Sequence, residues 1–479
     1  MTRRIAVVGG GVTGLTAAYY LLRMAREAGI GAEVSLWEKA PRLGGKVETL
    51  RRDGFVIERG PDSFLARKRP IIDLSKDLGI ENELVTLNPA TRKTYILRGG
   101  KLHRIPPGLV LGVPTEWKPF LASRLIGWTG KLRAALDFVL PPSREESDES
   151  LGGFLRRRLG DQVVDFVAEP LLSGIYAGDA DRLSLLATFP QFRAAERKHR
   201  SLIAGLGRGA GATREGAAGE DHLPAHARGS AFLSYRRGLS TLIERLADAI
   251  REEGGLIATG TGVRSVTPRA GGGAVLAFEN GEPLEADAVV LTAPPPALGA
   301  LLPGVSSASL LGGMKYASVA NIVLGYRTER LGTALDGSGF VVPRKEGLFM
   351  TACTWTSAKW KHTAPEGRTL IRCYVGRADD ERWIGMTDDE IAAAVRRELK
   401  EIMHLDAEPD FADVKRLMHS MPQYEVGHPD RMRALQEGMA AEAPGVIACG
   451  AGFDGVGLPD CVRQGKHAAE QLLRYLAGK

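Results

Sequence analysis

Three glycines near the amino terminus have the spacing that a nucleotide-binding turn requires. Gly9, Gly11 and Gly14 form a GxGxxG pattern directly after the apolar segment 4–8 and before an alanine-rich stretch. The first glycine permits a tight turn, the second lets a pyrophosphate approach the backbone, and the third lets a helix pack on the strand. We therefore predict that this segment binds a dinucleotide.

The residues around this turn predict a βαβ unit. A helix beginning at Val12 would direct backbone N–H groups, including that of Thr13, at the phosphates. A second strand is predicted at 32–37, and Glu38 at its end stands 24 residues beyond Gly14. A carboxylate at this position accepts hydrogen bonds from ribose hydroxyls. Strand, helix and acid together indicate the start of a doubly wound parallel sheet, and so an α/β fold class.

A second glycine-rich segment favours FAD over NAD. It continues from the acid into a basic residue and a glycine pair, and its predicted cofactor contacts are Lys39, Arg42, Gly44, Gly45 and Lys46. The guanidinium of Arg42 is predicted to neutralise the pyrophosphate, and the glycine pair lets the chain pass close to it. A turn that would reach the isoalloxazine ring follows at Gly60, Pro61, Asp62 and Ser63. A nicotinamide enzyme has no need of this second clamp, so the pattern predicts FAD.

The carboxyl-terminal part repeats the order of strand, glycine loop and helix. A strand is predicted at 446–449, and a helix is predicted to begin near Asp460. The amino terminus of this helix would lie beneath the N1/C2=O edge of the flavin and stabilise negative charge on the reduced ring. The residues predicted to contact the cofactor here are Gly450, Gly457, Leu458, Pro459 and Asp460.

Length and composition are those of a globular enzyme with more than one structural region. A chain of 479 residues exceeds one typical core, and the hydrophobic fraction of 44% is ordinary. No apolar run is long enough to span a membrane, and the first strand begins at Ile5, so we expect a cytoplasmic protein without a leader. The four scattered cysteines and the lack of an HExxH motif argue against a disulfide framework or a metal site.

We predict three structural regions. An FAD-binding domain is discontinuous in sequence, and a mixed α+β substrate-binding domain is inserted into it. A helical region would contain a mobile loop that is rich in Gly, Ala and Arg. The predicted bounds are 1–75, 230–292 and 440–479 for the first, 76–104 and 293–439 for the second, and 105–229 for the third, with the loop at 205–230.

The net charge of +6 is distributed unevenly along the chain. Between Leu84 and Leu136 there are nine basic residues and one acid, with Trp117, Phe120 and Trp128 interspersed. Bases with interfacial aromatics suit an anionic membrane surface or a polyanionic substrate, and a solvated basic face above core aromatics has the same pattern. Nucleic acid is not expected as a partner, because the usual recognition motifs are missing.

The three glycine-rich segments together resemble the flavin amine oxidase superfamily. Within it, further segments resemble the bacterial porphyrinogen oxidases, nearest to the Gram-positive coproporphyrinogen III oxidase type. These segments are ERGPDSFLARK from Glu58, PLLSGIYAGD from Pro170, TFPQF from Thr188, TACTWTSAKW from Thr351 and SMPQYEVGH from Ser420. The similarity extends over nearly the whole chain. One departure is Leu417, where the family often has a tryptophan near the flavin.

The resemblance implies an activity and a set of roles. The activity is oxidation of coproporphyrinogen III to coproporphyrin III in haem biosynthesis, with molecular oxygen reoxidising FAD and three molecules of H2O2 formed. The resemblance also implies that Lys68 handles substrate propionates, that Tyr374 is an active-site residue, that Tyr176 lines the pocket and that the backbone of Val263 contacts adenine. On pattern alone, Lys68 suits a solvated basic run and Tyr374 a core strand.

Other interpretations remain open at this point. Protoporphyrinogen IX carries two carboxylates and coproporphyrinogen III four, so the basic surplus favours the latter. A phytoene desaturase or an amine oxidase would be another member of the superfamily, and a flavin-bearing porphyrin carrier without catalysis is a different class. We also expect transient contact with the next enzyme of the haem pathway and peripheral contact with the inner face of the cell membrane.

Overall fold

The computed structural model describes residues 2–214 and 220–478. The α-helices in these ranges are α1 (Val12–Glu27), α2 (Arg69–Asp77), α3 (Trp117–Ala122), α4 (Trp128–Ala135), α5 (Leu151–Leu159), α6 (Asp161–Val163), α7 (Glu169–Tyr176), α8 (Leu185–Thr188), α9 (Pro190–His199), α10 (Leu202–Arg214), α11 (Ser240–Glu252), α12 (Leu298–Leu301), α13 (Thr356–Lys359), α14 (Asp388–Met403), α15 (His428–Glu442) and α16 (Leu458–Ala477). No helix among the described residues is long and apolar enough to cross a membrane.

The strands form two large sheets and several small ones. They are β1 (Arg3–Val8), β2 (Ala32–Trp37), β3 (Thr49–Arg52), β4 (Phe55–Glu58), β5 (Phe64–Leu65), β6 (Leu84–Thr86), β7 (Tyr95–Arg98), β8 (Lys101–Arg104), β9 (Leu109–Val110), β10 (Val113–Pro114), β11 (Phe232–Tyr235), β12 (Leu256–Ala258), β13 (Val263–Pro268), β14 (Ala274–Phe278), β15 (Leu284–Ala286), β16 (Ala288–Leu291), β17 (Tyr316–Arg327), β18 (Gly339–Val341), β19 (Met350–Thr354), β20 (Arg368–Val375), β21 (Phe411–Pro422) and β22 (Val446–Ala448).

The first large sheet is parallel and has five strands in the order β12-β2-β1-β16-β22. Its central strands are continuous apolar runs that are buried on both faces, as in doubly wound sheets. Helix α1 packs on the sheet together with α16, and both belong to one hydrophobic core. The predicted α/β class is confirmed, and the strands of this sheet come from widely separated parts of the chain.

The second large sheet is mixed and has seven strands in the order β21-β17-β20-β19-β18-β7-β8. All neighbouring pairs are antiparallel except β18 with β7. Helix α14 covers one face, and its apolar side chains join those of β17 and β20 in a separate core. Residues of the long strands β17 and β20 line the same cavity as the glycine turn between β1 and α1.

The predicted mobile loop at 205–230 is wrong for the residues that lie in α10. Leu202 and Ile203 are buried at the start of this helix, and a Cβ at Gly205 would press on Ala195 of α9. Glycine and alanine therefore allow the two helices to pack closely. In the sequence alone, the same residues indicated a segment with little to bury. Residues 215–219 of the predicted loop lie outside the described residues.

A buried ion pair connects several segments of the helical region. Arg158 and Asp137 have fully buried side chains, and the Arg158 Nε donates to the Asp137 carboxylate at 2.5 Å. The guanidinium also donates to the carbonyl oxygens of Leu140, Pro141 and Arg200. The Asp137 carboxylate in turn accepts hydrogen bonds from the 201–203 turn that begins α10. One pair thus fixes four segments, and each polar atom in it depends on the others.

We predict that Asp137→Ala lowers the free energy of unfolding by about 3–5 kcal/mol. It removes the nearer carboxylate from the buried Arg158, leaving Glu196 at 3.5 Å, and it also removes the acceptor of the 201–203 turn. Denaturant unfolding of the purified protein measures this change. Asp406→Ala is the matched control, since Asp406 pairs with Lys400 on the exposed surface at 2.7 Å and its loss should cost under about 1 kcal/mol. Equal effects of the two substitutions would show that the buried pair is dispensable.

Candidate functional site

A cavity of about 1090 Å³ lies between the two large sheets. The carboxyl ends of β1, β2, β16 and β22 form one side of it, where ligands bind in open parallel sheets. Strands β17, β19 and β20 of the mixed sheet form the opposite side, and α7 contributes residues to the wall. Ligand pockets are commonly about 300–1,000 Å³, so this cavity is at the upper end of the usual range and suits a large ligand.

The structure brings most of the residues predicted from the sequence to this cavity. Those that line it are Gly9, Gly11, Val12, Thr13, Glu38, Lys39, Gly44, Gly45, Lys46, Gly60, Pro61, Asp62, Ser63, Val263, Tyr374, Gly450, Gly457 and Leu458. Leu417, the departure from the family pattern, also lies on the wall. The predicted residues that do not line the cavity are Gly14, Arg42, Lys68, Tyr176, Pro459 and Asp460.

The glycine turn combines close packing with an open face. A Cβ at Gly14 would overlap the carbonyl oxygen of Gly9, so this position admits only a hydrogen where α1 leaves the turn. A Cβ at Gly11 would meet no protein atom within 4 Å, because Gly11 faces the cavity. Gly11 is also the N-cap of α1 and supplies no side-chain cap, so the helix presents free backbone N–H groups at the cavity wall. An anion is the complement of such a helix end.

The carboxylate of Glu38 is fixed at the end of β2. It accepts a hydrogen bond from the Gly10 amide at 2.6 Å and one from the Ala40 amide at 2.7 Å. Two ionised oxygens offer about four acceptor sites, so two remain for ligand hydroxyls. Val263 lies on the same cavity wall, as expected for a nucleoside site.

Arg42 holds its own loop, so the prediction that it neutralises the pyrophosphate is not supported by its position. Its guanidinium donates to the carbonyl oxygens of Leu43, Gly45 and Val47. It also pairs with Glu48 at 3.0 Å. The side chain therefore shapes the glycine pair from behind, away from the cavity. Sequence spacing identified the loop but not the direction of this side chain.

Lys68 is ion-paired outside the cavity lining. Its Nζ lies 2.7 and 2.5 Å from the two carboxylate oxygens of Asp460, in the first turn of α16. Asp460 is thereby turned away from the cavity, whereas Leu458 and Gly457 at the start of the same helix line it. The geometry gives Lys68 the role of tying the segment after Ser63 to α16. It does not place a free cation before a substrate.

The two predicted tyrosines have different positions. Tyr374 lies on the cavity wall in β20, with the guanidinium of Arg372 4.8 Å from its ring centroid. Burial raises the pKa of the Tyr374 hydroxyl, which therefore stays protonated at neutral pH. Tyr176 is buried beside Tyr424 at a centroid distance of 5.7 Å and does not reach the cavity. Its neighbour Ile175 lines the wall instead. The Tyr176 side chain points into the hydrophobic core of the helical region.

A cluster of charges surrounds the predicted flavin-contacting turn. The Asp62 carboxylate lies 3.1 Å from the Lys359 Nζ. Burial alone raises the pKa of Asp62, but the charges of Lys359 and Arg372 and a hydrogen bond from Ser63 outweigh it and lower the pKa well below its usual range. Arg372 also donates to the Gly60 carbonyl oxygen. Neither Lys359 nor Arg372 was predicted as a site residue. Both lie about 300 positions from the turn, Lys359 within the segment TACTWTSAKW and Arg372 two residues before Tyr374.

Lys46 supplies a cation with an unusual environment. Its side chain lines the cavity and is exposed there, and its Nζ donates to the Ser420 carbonyl oxygen. Partial desolvation of the ammonium among the surrounding protein atoms lowers the pKa of Lys46 to about 8. The ammonium is therefore mostly charged at neutral pH. An anionic group in the cavity would favour the charged form further.

These features fit FAD. The open backbone at Gly11, the free N–H groups of α1 and the Lys46 ammonium suit a pyrophosphate, and the Glu38 carboxylate suits a ribose. The glycine segments at 44–45 and 60–63 and the start of α16 continue the same wall towards Tyr374. A cofactor with two nucleotide-like halves would follow this wall from one sheet to the other.

Comparison with known proteins gives consistent results. Residues 12–473 match the family described as flavin containing amine oxidoreductase. The chain is 44% identical over 474 residues to coproporphyrinogen III oxidase of Bacillus subtilis, with 99% of this chain and 98% of the relative covered. It is 37% identical over 477 residues to coproporphyrinogen III oxidase of Staphylococcus aureus, with 99% and 100% covered.

A solved structure is also similar over the full length. It is the crystal structure of a candidate protoporphyrinogen oxidase from Exiguobacterium sp. 255-15, which is 37% identical in sequence. The superposition has a TM-score of 0.86 and covers 100% of this chain and 99% of the other. The two large sheets and the helical region thus have a counterpart in an experimentally determined fold.

We predict that Gly11→Ala leaves the fold intact but impairs FAD binding. The added methyl meets no protein atom and the extended backbone at Gly11 suits alanine, so unfolding should change by at most about 1 kcal/mol, the usual cost at an N-cap. The methyl would occupy the space next to the cofactor, and we expect FAD affinity to fall about tenfold or more, or about 1.4 kcal/mol.

Flavin fluorescence titration of the apoprotein, alongside its thermal unfolding, measures both quantities. Gly14→Ala is the contrasting variant, because its methyl would overlap the Gly9 carbonyl oxygen and should damage folding and binding together. Unchanged FAD affinity in Gly11→Ala would contradict the assignment of this turn.

Proposed function

Because the chain belongs to the flavin-containing amine oxidoreductase family, we propose that it oxidises coproporphyrinogen III to coproporphyrin III with FAD and molecular oxygen. The family match and the near full-length relatives confirm the predicted superfamily resemblance and the flavin cofactor. The continuous cavity between the two sheets is the observation that carries the proposal for the substrate, since it leaves room for a large ring beside the cofactor wall.

The reaction requires positioning more than acid–base catalysis. The bound flavin supplies two-electron oxidation, and three rounds remove six electrons while oxygen is reduced to three molecules of H2O2. Each round removes a hydride from a carbon that bridges two pyrroles, together with one proton. Over the three rounds, the four bridging carbons and two of the pyrrole nitrogens each lose one hydrogen. Formation of the aromatic macrocycle drives the reaction, so the chain must mainly hold the substrate and exclude water.

The chain supplies an apolar wall for this purpose. Leu171 and Ile175 of α7 and Val341 of β18 line the part of the cavity next to the Tyr374 ring. We propose that Tyr374 packs on the macrocycle. The Arg372 guanidinium, which lies over the Tyr374 ring, would hold the tyrosine in place. The Asp62–Lys359 pair connects the turn at 60–63 to α13, and it would keep that turn rigid.

We propose that the three regions predicted from the sequence divide these tasks. The parallel sheet and α16 would hold FAD, the mixed sheet would hold the substrate, and the helical region would close the cavity through α7. The strands of the parallel sheet come from all three chain segments of the predicted FAD-binding domain, which supports this division. Protoporphyrinogen IX is the second candidate substrate, favoured by the similar structure from Exiguobacterium.

We predict that anaerobic mixing of the FAD-loaded protein with coproporphyrinogen III bleaches the visible flavin absorption, because the cofactor takes up electrons that oxygen would otherwise remove. Admitting oxygen should restore the colour and release coproporphyrin III, which stopped-flow absorption and fluorescence detect. Protoporphyrinogen IX in parallel gives the ratio of kcat/KM, which should favour coproporphyrinogen III. A flavin that stays oxidised with both substrates would indicate a porphyrin carrier instead.

We also propose peripheral membrane contact through an exposed apolar surface on the helical region. Trp128, Leu132 and Val139 are 68%, 70% and 77% exposed, which is uncommon for large apolar side chains. The exposed bases Lys118 and Arg124 lie in the same stretch of chain. An interfacial tryptophan with nearby bases suits an anionic bilayer surface. Lys131 is not counted among these exposed bases, because its Nζ donates to the Leu121 carbonyl oxygen at 2.6 Å within the protein.

We predict that the protein co-sediments with vesicles containing phosphatidylglycerol at low salt, and that the double variant Trp128→Ser/Leu132→Ser does not, because it loses the apolar contact. Added salt should weaken binding by screening the basic residues. Leu310→Ser is the matched control, since Leu310 is an exposed leucine outside this surface. Wild-type protein that stays in the supernatant would exclude membrane contact under these conditions.

A further inference from the structure

An arginine just after the end of β20 faces the cavity. Arg377 follows Tyr374 by three residues and lines the cavity. Its backbone is fixed by hydrogen bonds with Asp380, from the Arg377 amide at 3.2 Å and to the Arg377 carbonyl oxygen at 3.1 Å. The next amide, of Ala378, donates to the Ala177 carbonyl oxygen just after α7 at 2.8 Å. The side chain therefore starts from a rigid position between the mixed sheet and the helical region.

The acids near Arg377 are committed to other bases. Glu169 pairs with Arg344 at 2.8 Å, and Asp379 also pairs with Arg344. Asp380 pairs with Arg382 at 2.8 Å. In the described parts of the chain, the Arg377 guanidinium forms no ion pair, and its one hydrogen bond runs from Nη2 to the Val342 carbonyl oxygen at 2.8 Å. Four of its five N–H groups are thus left for a ligand.

The surroundings of Arg377 select the kind of ligand. An arginine keeps its charge in proteins, and its planar fork of N–H groups matches a carboxylate, which it can bind with two hydrogen bonds. The neighbouring wall residues Ile175, Leu171 and Val341 are apolar. A ligand that suits both features has a large apolar body and a carboxylate at its edge.

We propose that Arg377 binds a propionate carboxylate of the substrate and so orients the macrocycle against Tyr374. This inference rests on the proposed function and deepens it by naming a substrate-positioning residue. It also replaces the role expected of Lys68, whose ammonium is already paired with Asp460. A guanidinium held by one hydrogen bond to Val342 is preorganised, so little side-chain freedom is lost on binding.

The test is a comparison of Arg377→Gln with wild type in two assays. In steady-state oxidation, the KM for coproporphyrinogen III should rise about tenfold or more, the usual loss for a charge-assisted hydrogen bond, while kcat changes little. In equilibrium binding, wild type should bind coproporphyrin III more tightly than its tetramethyl ester, and Arg377→Gln should lose most of this preference. Arg377→Lys should recover part of it, because it restores the charge without the fork.

Two controls separate this role from a structural one. Arg382→Gln removes the same charge from the same loop at a side chain that pairs with Asp380, and it should leave KM and the acid-over-ester preference unchanged. The flavin content of all variants should match wild type, since Arg377 is assigned to the substrate. An unchanged KM and preference in Arg377→Gln would overturn the inference while leaving the proposed function standing. A wild type that oxidises no porphyrinogen would overturn the proposed function itself.

Discussion

Close backbone contact at glycines holds the cofactor side of this molecule together. Gly14 contacts the Gly9 carbonyl oxygen within the first turn, and Gly465 of α16 lies against the Thr13 carbonyl oxygen of α1. Gly60 lies equally close to the Lys46 carbonyl oxygen. A methyl group at any of these three positions would overlap a backbone oxygen, which cannot move as a flexible side chain can. The segments that contain Gly14, Gly60 and Gly465 can therefore pack this closely only because these positions lack side chains.

This constraint explains why the cofactor side was the most predictable part of the site. Glycine spacing after a strand is a local signal, and the βαβ unit, Glu38 and the 60–63 turn were each recognisable from short segments. The substrate side follows a different logic. Arg372 and Arg377 line the cavity, and Lys359 pairs with Asp62 of the turn at 60–63, about 300 positions earlier in the chain. These contacts form only in the folded chain, and local glycine spacing does not predict them. Only the resemblance to a known family pointed to Tyr374.

Side-chain direction was the main source of wrong expectations. Arg42 and Lys68 are basic residues in the right segments, yet both bind groups of the protein itself, the loop carbonyls in one case and Asp460 in the other. Tyr176 has a suitable neighbour in Ile175, and one step along α7 decides which of the two lines the cavity. In each case neighbouring residues line the cavity and the named side chain does not, because side-chain direction depends on tertiary packing. The prediction of a loop where α10 lies was wrong for a related reason. Glycine and alanine occur both in loops and at close helix contacts, and the packing partner decides between the two.

The distribution of charge along the cavity is consistent with a reaction that needs little acid–base help. Among the described residues that line the cavity there is no histidine, and the Asp62 carboxylate is held ionised by Lys359 and Arg372. A carboxylate with a lowered pKa and a paired partner is a weak proton acceptor, so it serves structure better than catalysis. The α1 terminus and Lys46 lie on the part of the wall formed with the parallel sheet, and Arg377 lies just after β20 of the mixed sheet. Between them the wall is mostly apolar, and this arrangement orients an amphipathic ring by its carboxylates while the carbon to be oxidised stays dry.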